Sequence, residues 1–322
     1  MTFARPAGIL HARRHPPGIN NLIVKRDCLR TLFITAYPGM TPSPNIVSEK
    51  HDRLRKILRE MESVLAAYSG GVDSTFLLKV ARDVLGDRAV AVIASSEIYP
   101  PGEIEAAENL ARNIGARLIS IHTDERQNHD FTRNAPDRCY HCKTELFGKL
   151  KRIAAEEGLG CVVHGANADD LEDYRPGQKA AEELGIRAPL QEAGFTKSEI
   201  RELSRQLGLS NWDKPSLACL ASRIPYGTPI AAETLRQIGE AEKLLRELGF
   251  RQVRVRHHGS IARIEIEPEE LSRLLETNLR KKIVERLKEL GYLYVTVDIE
   301  GYRTGSMNAM LNIERPTSNI EL

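Results

Sequence analysis

The sequence predicts an α/β protein: a parallel sheet with helices on both faces, followed by a smaller α+β unit. Three observations carry this. Short apolar runs alternate with amphipathic segments over residues 48–211. The first run leads through a glycine turn, Ser69-Gly70-Gly71, directly into a helical pattern. Strict two-residue alternation appears only later, in two segments joined by Gly259-Ser260.

The elements follow in order. Leu54, Ile57, Leu58 and Met61 recur at helical spacing within Lys50 to Met61. Val64-Leu65-Ala66-Ala67-Tyr68 is a buried strand, and Thr75 to Ala81 continues as helix. Ala89 to Ala94 is a second strand; Glu103 to Ile114 is a helix closed by Gly115. Arg117 to Ile121, then a helix from Glu145 to Glu157, then the strand Cys161 to His164 complete the sheet pattern. Helices over Gln178 to Leu184 and Lys197 to Leu207 each end at a glycine, Gly185 and Gly208. Pro215, Pro225, Gly227 and Pro229 mark an irregular linker over 212–230, with the sole tryptophan, Trp212, packing at the junction. The second unit, 231–312, reads as a helix from Ala231 to Leu248, the hairpin Gln252 to Ile266, helices Glu269 to Leu275 and Leu279 to Leu290, and a strand from Tyr292 to Ile299.

Residues 1–47 carry Arg5, Arg13, Arg14, Lys25 and Arg26 with no acid before Asp27, and prolines such as Pro16 and Pro17 break any amphipathic helix. We expect a poorly ordered extension there, with Met40 as the start of the working protein, and a frayed tail over 313–322. Charged residues make up 28% and the net charge is +2, which creates no bulk demand for a nucleic-acid partner. No apolar run approaches the roughly 20 residues that span a membrane. Five cysteines without a secretory signal argue against a disulfide framework and for the cytosol.

The glycine turn has a chemical reading. Ser69-Gly70-Gly71-Val72-Asp73-Ser74 brings backbone close to an anion, and the new helix offers N–H groups and its positive dipole end. Ser69 and Ser74 add hydroxyl donors, and Asp73 stands where a divalent metal bridging phosphates would be held. No Gly-Lys-Ser/Thr follows, so this is not a Walker loop; helix capping after an ordinary βα turn is the bland alternative. The segment resembles the PP-loop of ATP pyrophosphatases, which cleave ATP to AMP and pyrophosphate. Elsewhere, Cys139 and Cys142 form a C-x-x-C, by itself open to zinc, redox or iron–sulfur roles. Cys219 lies on the linker, Cys161 reads as core, and Cys28 falls in the extension. Arg254 and Arg256 alternate with valines, so both project from one strand face, shared by His258; a solvated basic edge is the rival reading.

Together the PP-loop, Arg138-Cys139-Tyr140-His141-Cys142-Lys143, Gly165-Ala166-Asn167-Ala168-Asp169-Asp170, Asp173-Tyr174-Arg175-Pro176-Gly177, Ala218-Cys219-Leu220-Ala221-Ser222-Arg223 and Arg254-Val255-Arg256-His257-His258 resemble the LarE family over residues 50–312. These are ATP-dependent sulfur transferases of nickel-pincer cofactor synthesis. The resemblance implies an adenine nucleotide α hydrolase-like core. It implies that a carboxylate of pyridinium-3,5-biscarboxylic acid mononucleotide attacks ATP, releasing pyrophosphate, and that sulfur then displaces AMP. ATP and Mg²⁺ would sit on Ser69, Gly70, Gly71, Asp73, Ser74 and Asp170, with Ser222, Arg223, Arg254 and Arg256 binding anionic groups. Cys219, Asp73 and Arg223 are the expected catalytic residues. Three cysteines, Cys139, Cys142 and Cys219, resemble the ligands of a [4Fe–4S] cluster with one iron left open to a hydrosulfide. The competing reading is a Cys219 that surrenders its own sulfur and becomes dehydroalanine. The resemblance also implies a hexamer and an outside sulfur donor. A tRNA-thiolating enzyme with the same loop and cluster is the main alternative; aromatics at 5% and the absence of a basic stripe in the core speak against it. A nucleotide-binding sensor and an amidating synthetase are further alternatives, the latter lacking a glutaminase domain for ammonia.

Overall fold

The computed structural model describes residues 44–172, 176–303 and 306–308. Most of the N-terminal extension with Cys28 and Met40, the Asp173-Tyr174-Arg175 part of one motif, and the tail lie outside the described residues.

The first sheet takes strands β1 (Val64–Tyr68), β2 (Ala89–Ser95), β3 (Arg117–His122) and β4 (Cys161–His164) in the order β3-β2-β1-β4, all parallel. Strand alternation sends side chains to two cores. Val64, Ala66, Ala89 and Ile93 meet Leu54, Leu58, Phe76 and Phe195 on one face. Leu65 and Val92 meet Phe147, Leu150 and Ile186 on the other. The first face is covered by α1 (Pro44–Met61), α2 (Val72–Leu85), α3 (Glu103–Ile114) and, from further along the chain, two later helices. Phe76 and Phe195 pack edge to face at 5.6 Å between ring centroids. After the short α4 (His129–Thr132), α5 (Arg138–Glu156) and α6 (Pro176–Glu183) cover the second face. The short α7 (Pro189–Glu192) and α8 (Lys197–Gln206) return to the first. A capping box starts α8, with Thr196 and Glu199 bonding reciprocally across its first turn.

Two expectations shift. Helix α1 begins at Pro44, ahead of the expected Lys50. Helix α5 begins at Arg138 rather than near Glu145, so Cys139 and Cys142 ride on its first turns. The cause is the buried Arg138, which docks that turn against the later chain; periodicity alone does not display such a contact.

The second sheet has the order β5-β6-β7. Helix α9 (Ala232–Glu247) precedes the antiparallel pair β5 (Val253–His258) and β6 (Ile261–Ile266), turned by Gly259 at φ +63. After α10 (Leu271–Leu274) and α11 (Thr277–Glu289), β7 (Tyr294–Val297) pairs parallel to β6. Leu245, Phe250, Val255, Ile264 and Leu287 form its own core. Residues 212–230, expected as a linker, are packed: Leu220, Ala221, Ile224 and Ile230 join Ile98, Phe131 and Ile238 in a buried cluster. Trp212 departs from the packing role expected for it, with 39% of its surface exposed.

Candidate active site

Strand order reverses beside β1, whose neighbours β2 and β4 lead the chain to opposite sides. In open parallel sheets this crevice, at the carboxyl ends of the strands, is where ligands bind. The Ser-Gly-Gly turn leaves β1 there. Gly70 has φ +69, and a Cβ on it would lie 2.4 Å from the Ala107 Cβ, so only glycine fits. Gly71 caps α2 in an extended conformation with no side-chain bond. Ser69 Oγ and Ser74 Oγ stand 3.1 Å apart, and Ser74 Oγ donates to the Gly71 carbonyl at 3.2 Å. A Cβ on Gly165, just past β4, would lie 3.0 Å from the Ser74 nitrogen, so a second glycine keeps that side of the loop clear.

Polar groups surround the turn. Asn211 Nδ2 donates to the Gly70 carbonyl at 3.2 Å and to Thr75 Oγ1 at 3.0 Å. Lys214 Nζ bonds Glu103 at 2.7 Å and reaches the Gly70 carbonyl at 3.5 Å. Lys197 Nζ bonds Asp73 Oδ2, while its backbone N–H donates to Asp169 Oδ2 at 2.9 Å. Asp73 Oδ1 is buried without a hydrogen-bond partner. An orphaned carboxylate oxygen beside an anion-binding turn fits a divalent cation carried by phosphates. Asp170, expected on nucleotide or metal, accepts from the Asn167 N–H at 3.0 Å. Lys197, Lys214 and Asn211 escaped the sequence reading. The only trace of Lys197 there was its place at the start of α8, and Lys214 stood next to a proline read as linker.

The three cysteines converge. Cys142 and Cys219 both pack on the cluster around Ile98, Phe131 and Leu220. Burial, with Cys219 next in effect, pushes the Cys139 thiol up. Burial pushes Cys142 up to about 12, with Cys219, Glu125 and Cys139 adding to it. Cys219 opens a tight turn, Leu220–Arg223, whose Leu220 N–H donates to the Ile98 carbonyl at 2.7 Å. Two thiols on one apolar cluster, with Cys139 close enough to act on both, match a soft-metal donor set in kind. Among the described residues, however, no three His, Cys, Asp or Glu side chains are drawn together tightly enough to hold a metal ion.

Three arginines bond to backbone carbonyls around Cys219. Arg223 is fully buried and its Nε and Nη2 meet both oxygens of the equally buried Glu242, at 2.7 and 3.0 Å. Its Nη1 donates to the carbonyls of Ala218 (2.7 Å) and Cys219 (3.0 Å) and to Ser222 Oγ (2.9 Å). The fork is therefore engaged by protein, and Arg223 holds the Cys219 turn in shape. Burial works against both charges, yet Arg223 keeps the Glu242 carboxyl below its usual range. Arg254 and Arg256 are not a solvated edge: they are 4% and 5% exposed. Arg254 donates to the Ser216 carbonyl at 2.5 Å and Arg256 to the Ser222 carbonyl at 3.2 Å and to Glu265 at 2.6 Å. Burial, then Arg223, lowers Arg254 to about 10. Arg256 Nε is buried without a partner, a donor of the kind an anion would satisfy, and His258 Nε2 beside it is also unpartnered.

A parallel sheet delivering Ser-Gly-Gly-x-Asp-Ser into a helix at the crossover point defines a PP-loop nucleotide-binding protein. The NAD synthase family matches residues 46–139. An uncharacterised protein of Synechocystis is 45% identical, covering 83% of this chain and 99% of that protein. The pyridinium-3,5-bisthiocarboxylic acid mononucleotide synthase of Lactiplantibacillus plantarum is 41% identical, covering 82% of this chain and 96% of the relative. A glutamine-hydrolysing GMP synthase of Aeropyrum pernix is 28% identical over 67% of the chain and 45% of its own length. The chain belongs to the family of the Lactiplantibacillus synthase, the LarE family.

Proposed function

We propose that this protein uses ATP to convert the carboxylates of pyridinium-3,5-biscarboxylic acid mononucleotide into thiocarboxylates, in nickel-pincer cofactor synthesis. The observation that carries the reading is an intact PP-loop in a chain that packs Cys142 and Cys219 on one apolar cluster, with Cys139 close enough to feel Cys219 and with Arg223 bonded to the Cys219 carbonyl. A carboxylate is a poor acyl donor. Attack of its oxygen on the α-phosphorus of ATP breaks the bond to the β-phosphate bridge and gives an acyl-adenylate plus pyrophosphate. Sulfur then forms a bond to the acyl carbon, and AMP leaves with the C–O bonding pair.

This chain's residues divide that work. Ser69, Gly70, Gly71 and Ser74 hold pyrophosphate at the α2 terminus. Asp73 would hold Mg²⁺, which supplies charge neutralisation on the departing phosphates. Lys197, bonded to Asp73, is within a side-chain swing of those same phosphates. Arg254 and Arg256 bind the anionic groups of the substrate, while Arg223 and Ser222 keep the Cys219 turn in register. The apolar packing of Cys142 and Cys219 keeps water from hydrolysing the adenylate. A [4Fe–4S] cluster on the three thiols would supply one open iron for a hydrosulfide. The reading includes a cytosolic homo-oligomer fed by an outside sulfur donor.

One observation favours the rival in which Cys219 is the donor: the thiols are not drawn into a metal cage. There, Cys219 Sγ displaces AMP, a base removes the Cα proton, and the Cβ–S bond breaks to leave dehydroalanine and the thiocarboxylate. Iron and acid-labile sulfide, measured on protein purified without oxygen, separate the two. About four irons per chain, lost in Cys139→Ala together with multiple turnover, support the cluster. A protein that turns over repeatedly without iron after Cys139→Ala sinks it, and a single turnover that strips one sulfur's mass from the chain supports the rival.

A further inference from the structure

Two residues not placed at the active site bond the chain around and after Cys219 to the start of the helix bearing Cys139 and Cys142. Asn134 is fully buried and has φ +57, a left-handed conformation shared among the described non-glycine residues only with Glu62. Such a conformation costs free energy and persists where the surroundings enforce it. Asn134 Nδ2 donates to the carbonyls of Pro225 and Thr228, both at 2.8 Å, and of Ile224 at 3.4 Å. The Asn134 carbonyl accepts the Gly227 N–H at 3.0 Å, and the Thr132 carbonyl accepts that of Ile230 at 2.9 Å. The chain after Cys219 is thus sewn to the segment before α5.

Arg138 closes the seam. It is 3% exposed and immediately precedes Cys139. Its Nη1 donates to Asn134 Oδ1 and, at 3.0 Å, to the Ala221 carbonyl, two residues past Cys219. Its guanidinium lies 5.5 Å from the centre of the Tyr226 ring. Its Nη1 partners are an amide oxygen and a carbonyl rather than a carboxylate, its Nε has no oxygen partner, and its charge works to lower the Cys139 thiol beside it. A buried arginine held this way is expensive. Packing alone would be met as well by a methionine of similar volume. What the arginine adds is a rigid fork spanning both cysteine-bearing segments.

We propose that Arg138 and Asn134 are positioning residues that set Cys219 against Cys139 and Cys142; their value to catalysis rests on the reading of these thiols as the sulfur-handling group. The fork fixes the α5 end and the left-handed asparagine fixes the 219–230 end, so neither thiol site can drift independently of the other.

The test bridges thiols in the full chain with a short bifunctional thiol reagent and maps the linked peptides by mass, which separates the three cysteines from Cys28 and Cys161. The wild type is expected to give a bridge from Cys219 to Cys139 or Cys142. Arg138→Met keeps the volume and Asn134→Gly keeps the backbone conformation; each is expected to lower bridge yield about tenfold. ATP affinity is expected to hold within about twofold, because the PP-loop lies on a separate strand end. Arg138→Lys keeps charge without the fork and is expected to recover only part of the yield. With the full chain freed of iron by chelation before bridging, so that no cluster masks the thiols, an unchanged yield in Arg138→Met and Asn134→Gly, or no bridge in the wild type, overturns the proposal. A wild type that bridges but makes no thiocarboxylate defeats the functional reading and leaves the positioning role standing.

Discussion

Gly70 sits at φ +69 with Ala107 against it, and alanine there would bring two methyl carbons to 2.4 Å. Gly70→Ala is expected to lose pyrophosphate release by at least about tenfold while costing about 1–2 kcal/mol from the left-handed backbone alone; a melting curve beside a pyrophosphate assay separates the two effects. His164, at the end of β4, gives a pH signature. Burial, with Lys143 next, lowers its pKa from 6.5 to about 4. The unfolded chain therefore takes up a proton that the folded chain refuses throughout that window. Stability is expected to fall as pH drops from 6.5 to 4, by up to about 3 kcal/mol. Denaturant midpoints for wild type and His164→Asn at the two ends test this, the variant showing the shallower slope. At this scale the sequence was legible for the loop, whose residues are contiguous. It was mute on Lys197 and Asn211, because their meaning comes from segments more than a hundred residues away reaching back to Asp73 and Gly70.

Among the elements, β5 and the turn after Cys219 carry three buried arginines, Arg223, Arg254 and Arg256. Arg223 and Glu242 are both fully buried, and Glu242 also accepts the Val255 N–H at 3.1 Å and Arg246 at 3.2 Å. Removing one partner of a buried pair strands the other, so Glu242→Gln is expected to destabilise by about 3–5 kcal/mol, read as a lowered denaturation midpoint. The alternation of β5 was legible: Arg254 and Arg256 share a face as expected. Their burial was not, since alternation reports faces and says nothing of what covers them. The start of α5 and the packing of residues 212–230 were missed for a related reason. Proline and glycine advertise an absence of regular structure, and this segment is irregular in backbone yet buried through Leu220, Ala221 and Arg223. The hairpin and β1 fell where expected because hydrophobic period and turn chemistry agree there.

For the molecule as a whole, nucleotide binding and stability are linked. A ligand at a hundred times its dissociation constant adds about 2.7 kcal/mol to folding. ATP with Mg²⁺ is expected to raise the melting temperature, and Asp73→Asn to remove most of that rise while leaving the unliganded melting temperature within a few degrees. An equal rise in the variant would show that Asp73 is not where the metal–nucleotide complex is held. The parallel sheet with helices on both faces was legible, since alternating strands and helices allow few topologies; the order β3-β2-β1-β4 was not read from the sequence. The docking of the second sheet's arginines onto the Cys219 turn was not, being a contact between distant segments.

The Asp73–Lys197 bond has one more bearing. A tethered ammonium already neutralises the carboxylate that a metal would want, so a bare hydrated Mg²⁺ must compete with an internal counter-ion for one remaining oxygen. A metal arriving with a triphosphate faces no such contest, because the triphosphate offers the lysine a new partner as the metal takes its old one. On the proposed reading the loop would discriminate between free cation and cargo: Mg²⁺ alone is expected to leave the melting temperature unchanged, and the nucleotide would be what releases the lysine.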